Sequence, residues 1–183
     1  MRYGLLALTC AWVLLLSGCI FDPKKGESPK IVPPKYDPPA SPELVMSNLA
    51  KAYAARDSAA YKGCFDFTYL GTSIDQTDPS AVLDTLYFAD EARHIAGLAK
   101  STTISNVLLQ LVPSIVRTSD AGDPVGWALI QNPVYKLEID DGATSYIIPI
   151  SSETIEFRFI PTLDSTSPTD TTWKIIRWTE VRQ

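Results

Sequence analysis

Residues 135–150 read YKLEIDDGATSYIIPI and predict two antiparallel strands joined by a tight turn. Every second residue from Tyr135 to Ile139 is apolar and the residues between them are charged, which is the pattern of a strand with one buried face. The Asp-Asp-Gly sequence at 140–142 is typical of a hairpin turn. Apolar residues alternate again after the turn, so the segment predicts a β-hairpin.

More strands are predicted on either side of this hairpin. Residues 103–118 read as strand, and apolar residues alternate again over 155–159. In this second run the apolar residues stand at odd-numbered positions, whereas Tyr146, Ile148 and Ile150 stand at even-numbered ones. The apolar face therefore changes sides, which indicates a break or bulge within 151–154. Residues 173–181 are predicted to form the last strand, after a polar loop.

Helix signals precede the strands. Ser41-Pro42-Glu43 combines a capping serine, a proline at the first helical position and an acid at the positive end of the helix dipole. Apolar residues then recur every four positions from Val45 to Tyr53. We expect helices over residues 42–56 and 58–65, a short helix over residues 80–86, and a further helix that opens at Asp90-Glu91.

Helices followed by a run of long strands are typical of the α+β class, in which helices pack on one face of a sheet. Two segments, Tyr61–Phe67 and Trp173–Trp178, resemble parts of the superfamily of nuclear transport factor 2 and ketosteroid isomerase, also called SnoaL-like. The resemblance covers residues 42–183. It implies a cone-shaped, cystatin-like roll, with amino-terminal helices on a strongly curved antiparallel sheet and a concave pocket inside. A lipocalin-like or cystatin-like sheet is the alternative.

The amino terminus has the pattern of an export signal. A positive start is followed by an apolar run at residues 4–16, which is shorter than the roughly 20 residues that span a bilayer. Residues 1–18 are therefore predicted to be a signal peptide. Leu16-Ser17-Gly18-Cys19 resembles the lipobox of bacterial lipoproteins, which implies lipidation of Cys19 and attachment to the lipid bilayer through it. An uncleaved amino-terminal anchor is the alternative.

The same resemblance implies a location in the bacterial cell envelope. Ile20 stands where some lipoproteins carry the aspartate that retains them in the inner membrane, so the outer membrane is favoured. Residues 19–41 are predicted to be an extended tether, because prolines and lysines predominate and few apolar residues are available for burial. The folded domain is then expected to span residues 42–183.

Composition argues against several functions. The chain of 183 residues carries a net charge of −5, which argues against binding to nucleic acid. Its single histidine excludes a histidine-rich zinc site. The acids of Asp120–Asp123 lack the spacing of a calcium loop and are interpreted as a solvated turn. No glycine-rich phosphate loop is present, so we expect neither a metal nor a cofactor.

Candidate catalytic residues are few. Enzymes of the superfamily that the chain resembles work inside the cone with an Asp or His base, and the residues suited to such a role here are Asp66, Tyr69, Tyr87 and His94. None lies in a recognisable catalytic motif. The predicted function is therefore non-enzymatic: a module that binds a small hydrophobic ligand, or that associates with an envelope protein or a second copy of itself.

The alternative is a small enzyme of the ketosteroid isomerase type that uses Asp66, Tyr69 or His94. The content of the cone distinguishes these functions. An acid in the pocket favours the enzyme, and an aromatic pocket without acids favours ligand binding. A filled cone favours a structural component of the envelope.

Overall fold

The amino-terminal part of the folded chain consists largely of helices, as predicted. The structure is a computed structural model that describes residues 35–78, 80–149, 153–163 and 171–182. Its helices in this part of the chain are α1 (Pro42–Ala55), α2 (Ser58–Gly63) and α3 (Phe88–Lys100). Over the same residues, no helix is both long and apolar enough to cross a membrane. The predicted signal peptide, Cys19 and most of the predicted tether lie outside the described residues.

Capping explains where the first two helices begin. The Ser41 hydroxyl accepts a hydrogen bond from the Leu44 amide at 3.3 Å, and Arg56 ends α1 in the left-handed conformation. The Asp57 carboxylate then accepts bonds from the amides that open α2. The predicted bounds 42–56 and 58–65 thus agree with the structure to within two residues. The apolar stripe of α1, from Val45 to Tyr53, is buried in the core.

Strands form two hydrogen-bonded sheets. One has six strands in the order β2-β1-β9-β8-β5-β4, and the other has three in the order β3-β6-β7. Neighbouring strands are antiparallel except β1 and β9, which run parallel. The strands are β1 (Phe65–Asp75), β2 (Asp84–Tyr87), β3 (Asn106–Leu111), β4 (Arg117–Thr118), β5 (Ala128–Gln131), β6 (Val134–Asp140), β7 (Ser145–Pro149), β8 (Glu153–Leu163) and β9 (Thr171–Arg182).

A sharp corner at Asn132 carries the chain from one sheet into the other. Strand β5 belongs to the six-stranded sheet and β6 to the three-stranded sheet, with only Asn132 and Pro133 between them. Asn132 has φ of 49°, a left-handed conformation that asparagine tolerates better than most residues. Its backbone amide donates to the Ile155 carbonyl at 2.6 Å, and its side-chain oxygen accepts from the Ile155 amide at 2.9 Å. These two hydrogen bonds hold the corner against β8.

The predicted α+β fold is confirmed, including the hairpin, since β6 and β7 pair antiparallel from Lys136–Pro149 to Asp140–Ser145. Two expectations are wrong. Residues 81–83 have no regular structure and 84–87 form β2, where a helix over 80–86 was expected, because β2 supplies the partner that the edge of the long strand β1 requires. The sheet is also not wholly antiparallel, since β1 pairs parallel with β9.

The last residues of the predicted tether pack on the domain. The Asn48 side-chain amide donates to the Asp37 carbonyl at 2.7 Å and its oxygen accepts from the Asp37 amide at 3.0 Å. The Tyr36 hydroxyl donates to Asp57, and the Pro39 carbonyl accepts from the Trp173 amide. The expectation of a free tether through residue 41 is therefore wrong for residues 36–39, because the Tyr36 side chain, the Asp37 backbone and the Pro39 carbonyl are hydrogen-bonded to the domain.

A loop covers part of the outer face of the six-stranded sheet. Ala128 and Ile130 point into the core, so Leu129 between them lies on the opposite face, beside Arg158 of β8. The Arg158 guanidinium binds Asp123 at 2.9 Å and Asp120 at 3.1 Å, both from the loop before β5. The expectation of a solvated turn is wrong for Asp123, whose side chain is only 15% exposed.

Candidate functional site

A cavity of about 410 Å³ lies between the two sheets and helices α1 and α3. Apolar side chains form most of its wall, including Leu49, Leu109, Val134, Leu137, Ile139 and Ile155. The exposed residues Leu86 and His94 also line it and mark the side that opens to solvent. The cone is therefore hollow, and its volume lies in the range of small-molecule sites.

Glu91 is a buried acid in the wall of this cavity. It is only 7% exposed, and both of its carboxylate oxygens are hydrogen-bonded. The Tyr61 hydroxyl donates to Oε2 at 2.8 Å, and the Tyr69 hydroxyl donates to Oε1 at 3.0 Å. Such a pair of donors offsets part of the desolvation of a buried carboxylate.

Three elements of secondary structure bring this triad together. Glu91, Ile95 and Leu98 are the buried residues of α3 and share one face of that helix. Tyr61 comes from α2 and Tyr69 from β1, and the ring of Phe65 packs against both, with centroids 5.0 and 4.8 Å away. Burial, followed by the charge of Glu91, raises the pKa of both tyrosines well above the usual value. Both hydroxyls therefore stay protonated and act as donors.

Gly71 makes room for Tyr69. A Cβ atom built on Gly71 would overlap the Tyr69 hydroxyl and would lie 3.1 Å from Tyr69 Cζ. The Tyr69 ring thus lies directly against the backbone of β1, and only glycine at position 71 permits its bond to Glu91.

His94 lies one helical turn after Asp90, at the open side of the cavity. Its Nε2 shares a hydrogen bond of 2.9 Å with the hydroxyl of Tyr53, and the two rings stack at a centroid distance of 5.7 Å. Burial, followed by the nearby charges of Glu91 and Glu180, raises the pKa of Tyr53. The protonated Tyr53 hydroxyl links the exposed imidazole to the buried interior.

Glu180 is a second acid of the cavity, contributed by β9. Burial and repulsion from Glu153 raise its pKa above the usual value, and the charge of Glu91 adds a smaller effect. The nearby groups of Trp178 and Ser73 oppose this shift. Among the described residues the buried Trp178 indole N–H has no hydrogen-bond partner of good geometry. The cavity thus holds an acid that burial and neighbouring negative charge make harder to ionise than an exposed glutamate.

The structure brings together two of the four residues proposed from the sequence. Tyr69 and His94 line the cavity. Asp66 is not among the lining residues and accepts bonds from the amide and hydroxyl of Thr68 instead. Tyr87 is 59% exposed and does not line the cavity either. Glu91 and Glu180 were missed.

Each missed residue has a different explanation. Glu91 could have been found, because an acid spaced four and seven residues from Ile95 and Leu98 lies on the apolar face of its helix. Glu180 could not, because a register shift between β8 and β9 moves it to the inner face. Phe157 and Phe159 of β8 face Trp178 and Ile175, so β9 uses one more residue than its partner.

The part of the chain that the structure describes contains no cluster of three or more histidine, cysteine, aspartate or glutamate side chains arranged to hold a metal ion. The single cysteine described, Cys64, is buried, and burial raises the pKa of its thiol to about 12. The chemistry available in the cavity is therefore that of carboxylates, tyrosines, the hydroxyls of Thr72 and Ser73, one histidine and one indole.

No protein-family model matches the sequence, and no curated protein is significantly similar to it. Among solved structures, a nuclear transport factor 2-like protein with a cystatin-like fold from Novosphingobium aromaticivorans is 10% identical, with a TM-score of 0.47 over 75% of this chain and 77% of that chain. A ketosteroid isomerase-like protein from Erwinia carotovora atroseptica is 13% identical, with a TM-score of 0.41 over 76% and 92%.

A third similar structure is a nuclear transport factor 2-like protein of unknown function from Pseudomonas putida. It is 9% identical, with a TM-score of 0.46, and the match covers 76% of this chain and 82% of that chain. These TM-scores are all below 0.5. The structural neighbours of this α+β domain are nuclear transport factor 2-like and ketosteroid isomerase-like domains.

Proposed function

We propose that the domain binds a small molecule inside the cone. The observation that carries this proposal is the cavity of about 410 Å³, which has a mostly apolar wall, a few polar groups and one side open to solvent. Ligand sites typically combine a concave apolar surface with a small number of polar groups that fix orientation. The ligand is expected to be mainly apolar, with a polar group directed at Glu180 and Trp178.

A purely structural role is less well supported by the interior of the cone. A scaffold domain gains stability when its core is filled, because each unfilled volume loses contact energy. Here a space large enough for a ligand remains among Leu109, Val134 and Ile139. The space is also lined by acids, which a structural core avoids.

Binding can be tested by blocking the cavity. Ile139 lines it and is partly buried, so Ile139→Trp is expected to fill the space. The probe is cyclohexylmethanol, and its binding is followed by saturation-transfer NMR. We expect binding to the wild-type protein and its loss in the Ile139→Trp variant. The control is Val125→Trp at a fully exposed position, and equal binding by both variants would contradict the proposal.

Acid–base catalysis is a second candidate, because the cavity contains acids. Glu180 is favoured over Glu91 as the reacting group, since both oxygens of Glu91 already accept hydrogen bonds from tyrosines. A carboxylate with a raised pKa is a better general base near neutral pH than an exposed one. In such a reaction Glu180 would remove a proton from carbon and return it elsewhere on an apolar substrate.

This second candidate has its own experiment. Acetylcyclohexane in D2O carries α-protons whose exchange with deuterium can be followed by NMR. An acid–base site would accelerate this exchange over the buffer rate, and Glu180→Gln would abolish the acceleration. Binding of the ketone without accelerated exchange supports the binding module and argues against the enzyme.

We infer from the sequence that Cys19 carries the lipid and that the domain works at the surface of the bacterial outer membrane. What supports this is the lipobox-like Leu16–Cys19 after a charged start and a short apolar run. Intact-mass analysis of membrane-extracted protein tests it. A mass that includes Met1 and no acyl groups would contradict it.

A further inference from the structure

The charges around the cavity are almost all of one sign. Four carboxylates line it, on Asp90, Glu91, Glu153 and Glu180, and the described lining residues include neither lysine nor arginine. His94 at the open side is the one basic side chain among them. A cavity lined by one sign of charge concentrates ions of the opposite sign.

Only one of these acids has a cationic partner within the described part of the chain. Asp90 is paired with Arg93 at 2.9 Å and also accepts from the Tyr87 amide. Glu91 is satisfied by two neutral hydroxyls, and neither Glu153 nor Glu180 forms an ion pair with a described residue.

The arginine opposite Glu153, Arg182, forms its ion pair with a different acid. Arg182 faces Glu153 across the β8–β9 ladder, but its guanidinium binds Asp75 at 3.4 Å. Glu153 and Glu180 repel each other as a result, and this repulsion is one cause of the raised pKa of Glu180. Partly buried like charges are costly unless a counter-charge accompanies them.

Aromatic rings complete the environment. Tyr53, Tyr61, Tyr69 and Trp178 line the same space, and the face of an aromatic ring attracts a cation, most strongly at tryptophan. The remaining wall is aliphatic. A ligand that matches the carboxylates, the aromatic rings and the aliphatic wall carries one positive charge on an apolar body.

We infer that the ligand of this cavity is an organic cation, a protonated amine or a quaternary ammonium group attached to a hydrophobic body. The positive group lies between Glu180 and Glu153 beside the Trp178 ring, and the apolar body fills the space bounded by Leu109, Val134 and Ile139. This inference rests on the proposed function, because it names the ligand class of the same site.

Three probes of nearly the same shape separate charge from shape. They are cyclohexylmethylamine, cyclohexylmethanol and cyclohexanecarboxylate, which at pH 7 are positive, neutral and negative. Titration calorimetry on the full chain is expected to give at least tenfold tighter binding of the amine than of the alcohol, a difference of about 1.4 kcal/mol. The carboxylate is expected not to bind.

Matched variants locate the charge. Glu180→Gln and Glu153→Gln keep the shape of the side chains and remove one charge each, so each is expected to weaken binding of the amine about tenfold and to leave the alcohol unaffected. Asp66→Asn removes a charge outside the cavity and is expected to change neither affinity.

The outcomes distinguish the two proposals. Binding of the alcohol as tight as that of the amine, or tighter binding of the carboxylate, would overturn the cation while supporting a ligand site. Equal loss of amine binding in Asp66→Asn and Glu180→Gln would also overturn the cation, since it would show attraction by net charge alone. Failure of all three probes to bind would overturn both proposals.

Discussion

The Tyr61 hydroxyl donates a hydrogen bond of 2.8 Å to Glu91 Oε2, across 30 residues of sequence and between two helices. Both side chains are buried, and Tyr69 occupies the other oxygen of the same carboxylate. The three groups join α2, α3 and β1, so this contact is part of the structure of the cavity as well as of its chemistry.

Removing the acceptor should therefore destabilise the domain. In Glu91→Ala two buried hydroxyls lose their acceptor, and each such group costs about 1–3 kcal/mol. Urea denaturation is expected to show a loss of about 2–6 kcal/mol in the free energy of unfolding. In a double-mutant cycle Tyr61→Phe should cost little once Glu91 is gone. A full additional loss in the double variant would show that the two residues act independently.

Gly71→Ala should displace the ring of Tyr69. The new methyl group would occupy the position of the Tyr69 hydroxyl, so that hydroxyl must leave Glu91. We expect a loss of about 1–3 kcal/mol, smaller in a background that carries Tyr69→Phe. Gly63→Ala is the control, because no atom lies within 4 Å of its added Cβ. Equal effects at the two glycines would contradict the steric explanation.

Because of Glu180, the folded domain should lose stability as the pH rises. Because its pKa is raised in the folded state, the group contributes most below its unfolded pKa, and this contribution is lost as pH rises through the folded value. Its raised pKa follows from burial and from the negative charges of Glu153 and Glu91. Glu180→Gln is therefore expected to raise Tm at pH 7 and to leave it nearly unchanged near pH 4.

Asp57 is the control for this measurement, because its contribution to stability changes with pH in the opposite direction. The amide of Ala60, with smaller contributions from Tyr36 and Ala59, lowers the pKa of Asp57. Asp57→Asn should thus cost stability at neutral pH and progressively less as pH falls. A Tm difference for Glu180→Gln that does not vary with pH would show that its carboxyl titrates as in the unfolded chain.

The corner at Asn132 should distinguish two substitutions. Both Asn132→Ala and Asn132→Gly lose the bond to the Ile155 amide, but only alanine must also adopt a left-handed conformation, which costs roughly 1–2 kcal/mol. We expect the alanine variant to be the less stable of the two by about that amount. Urea denaturation measures the difference, and equal stabilities would mean that the corner relaxes to another conformation.

The segment before α1 should contribute to stability. Asn48 is 7% exposed and pairs with both backbone groups of Asp37. Asn48→Ala is expected to cost about 1–3 kcal/mol and to accelerate amide exchange over residues 36–40. Lys51→Ala removes an exposed ion pair to the same Asp37 and should cost at most about 1 kcal/mol. Equal losses of stability in the two variants would show that the segment is held by the charge of Asp37 and not by its backbone hydrogen bonds.

Local sequence signals were sufficient for most of the fold. The caps at Ser41 and Asp57 and the alternation around Leu137 depend on neighbouring residues, so their elements were predicted closely. A helix is predicted over residues 80–86 because Asp78-Pro79 resembles a helix start, but residues 84–87 form β2. Their strand conformation depends on the edge of β1, which no local pattern reveals.

The site was predicted in part for the same reason. Tyr69 and His94 were identified by residue type and then placed by the fold. Asp66 has a suitable side chain, but its position in β1 keeps it out of the cavity lining. Trp178 and Glu180 reach the interior only through the extra residue in β9, and that register shift is set by pairing with β8.

The parallel pairing of β1 and β9 has a consequence for the order in which the domain folds. The hydroxyls of Thr72 and Thr179 meet across 107 residues of chain. Such distant pairings raise the contact order and slow folding. Until β9 is in place, β1 and β8 each have an unpaired edge, and Trp178 and Glu180 are absent from the cavity. The cavity wall and the six-stranded sheet are therefore completed together, so a chain that still lacks β9 also lacks the Trp178 and Glu180 side of the cavity.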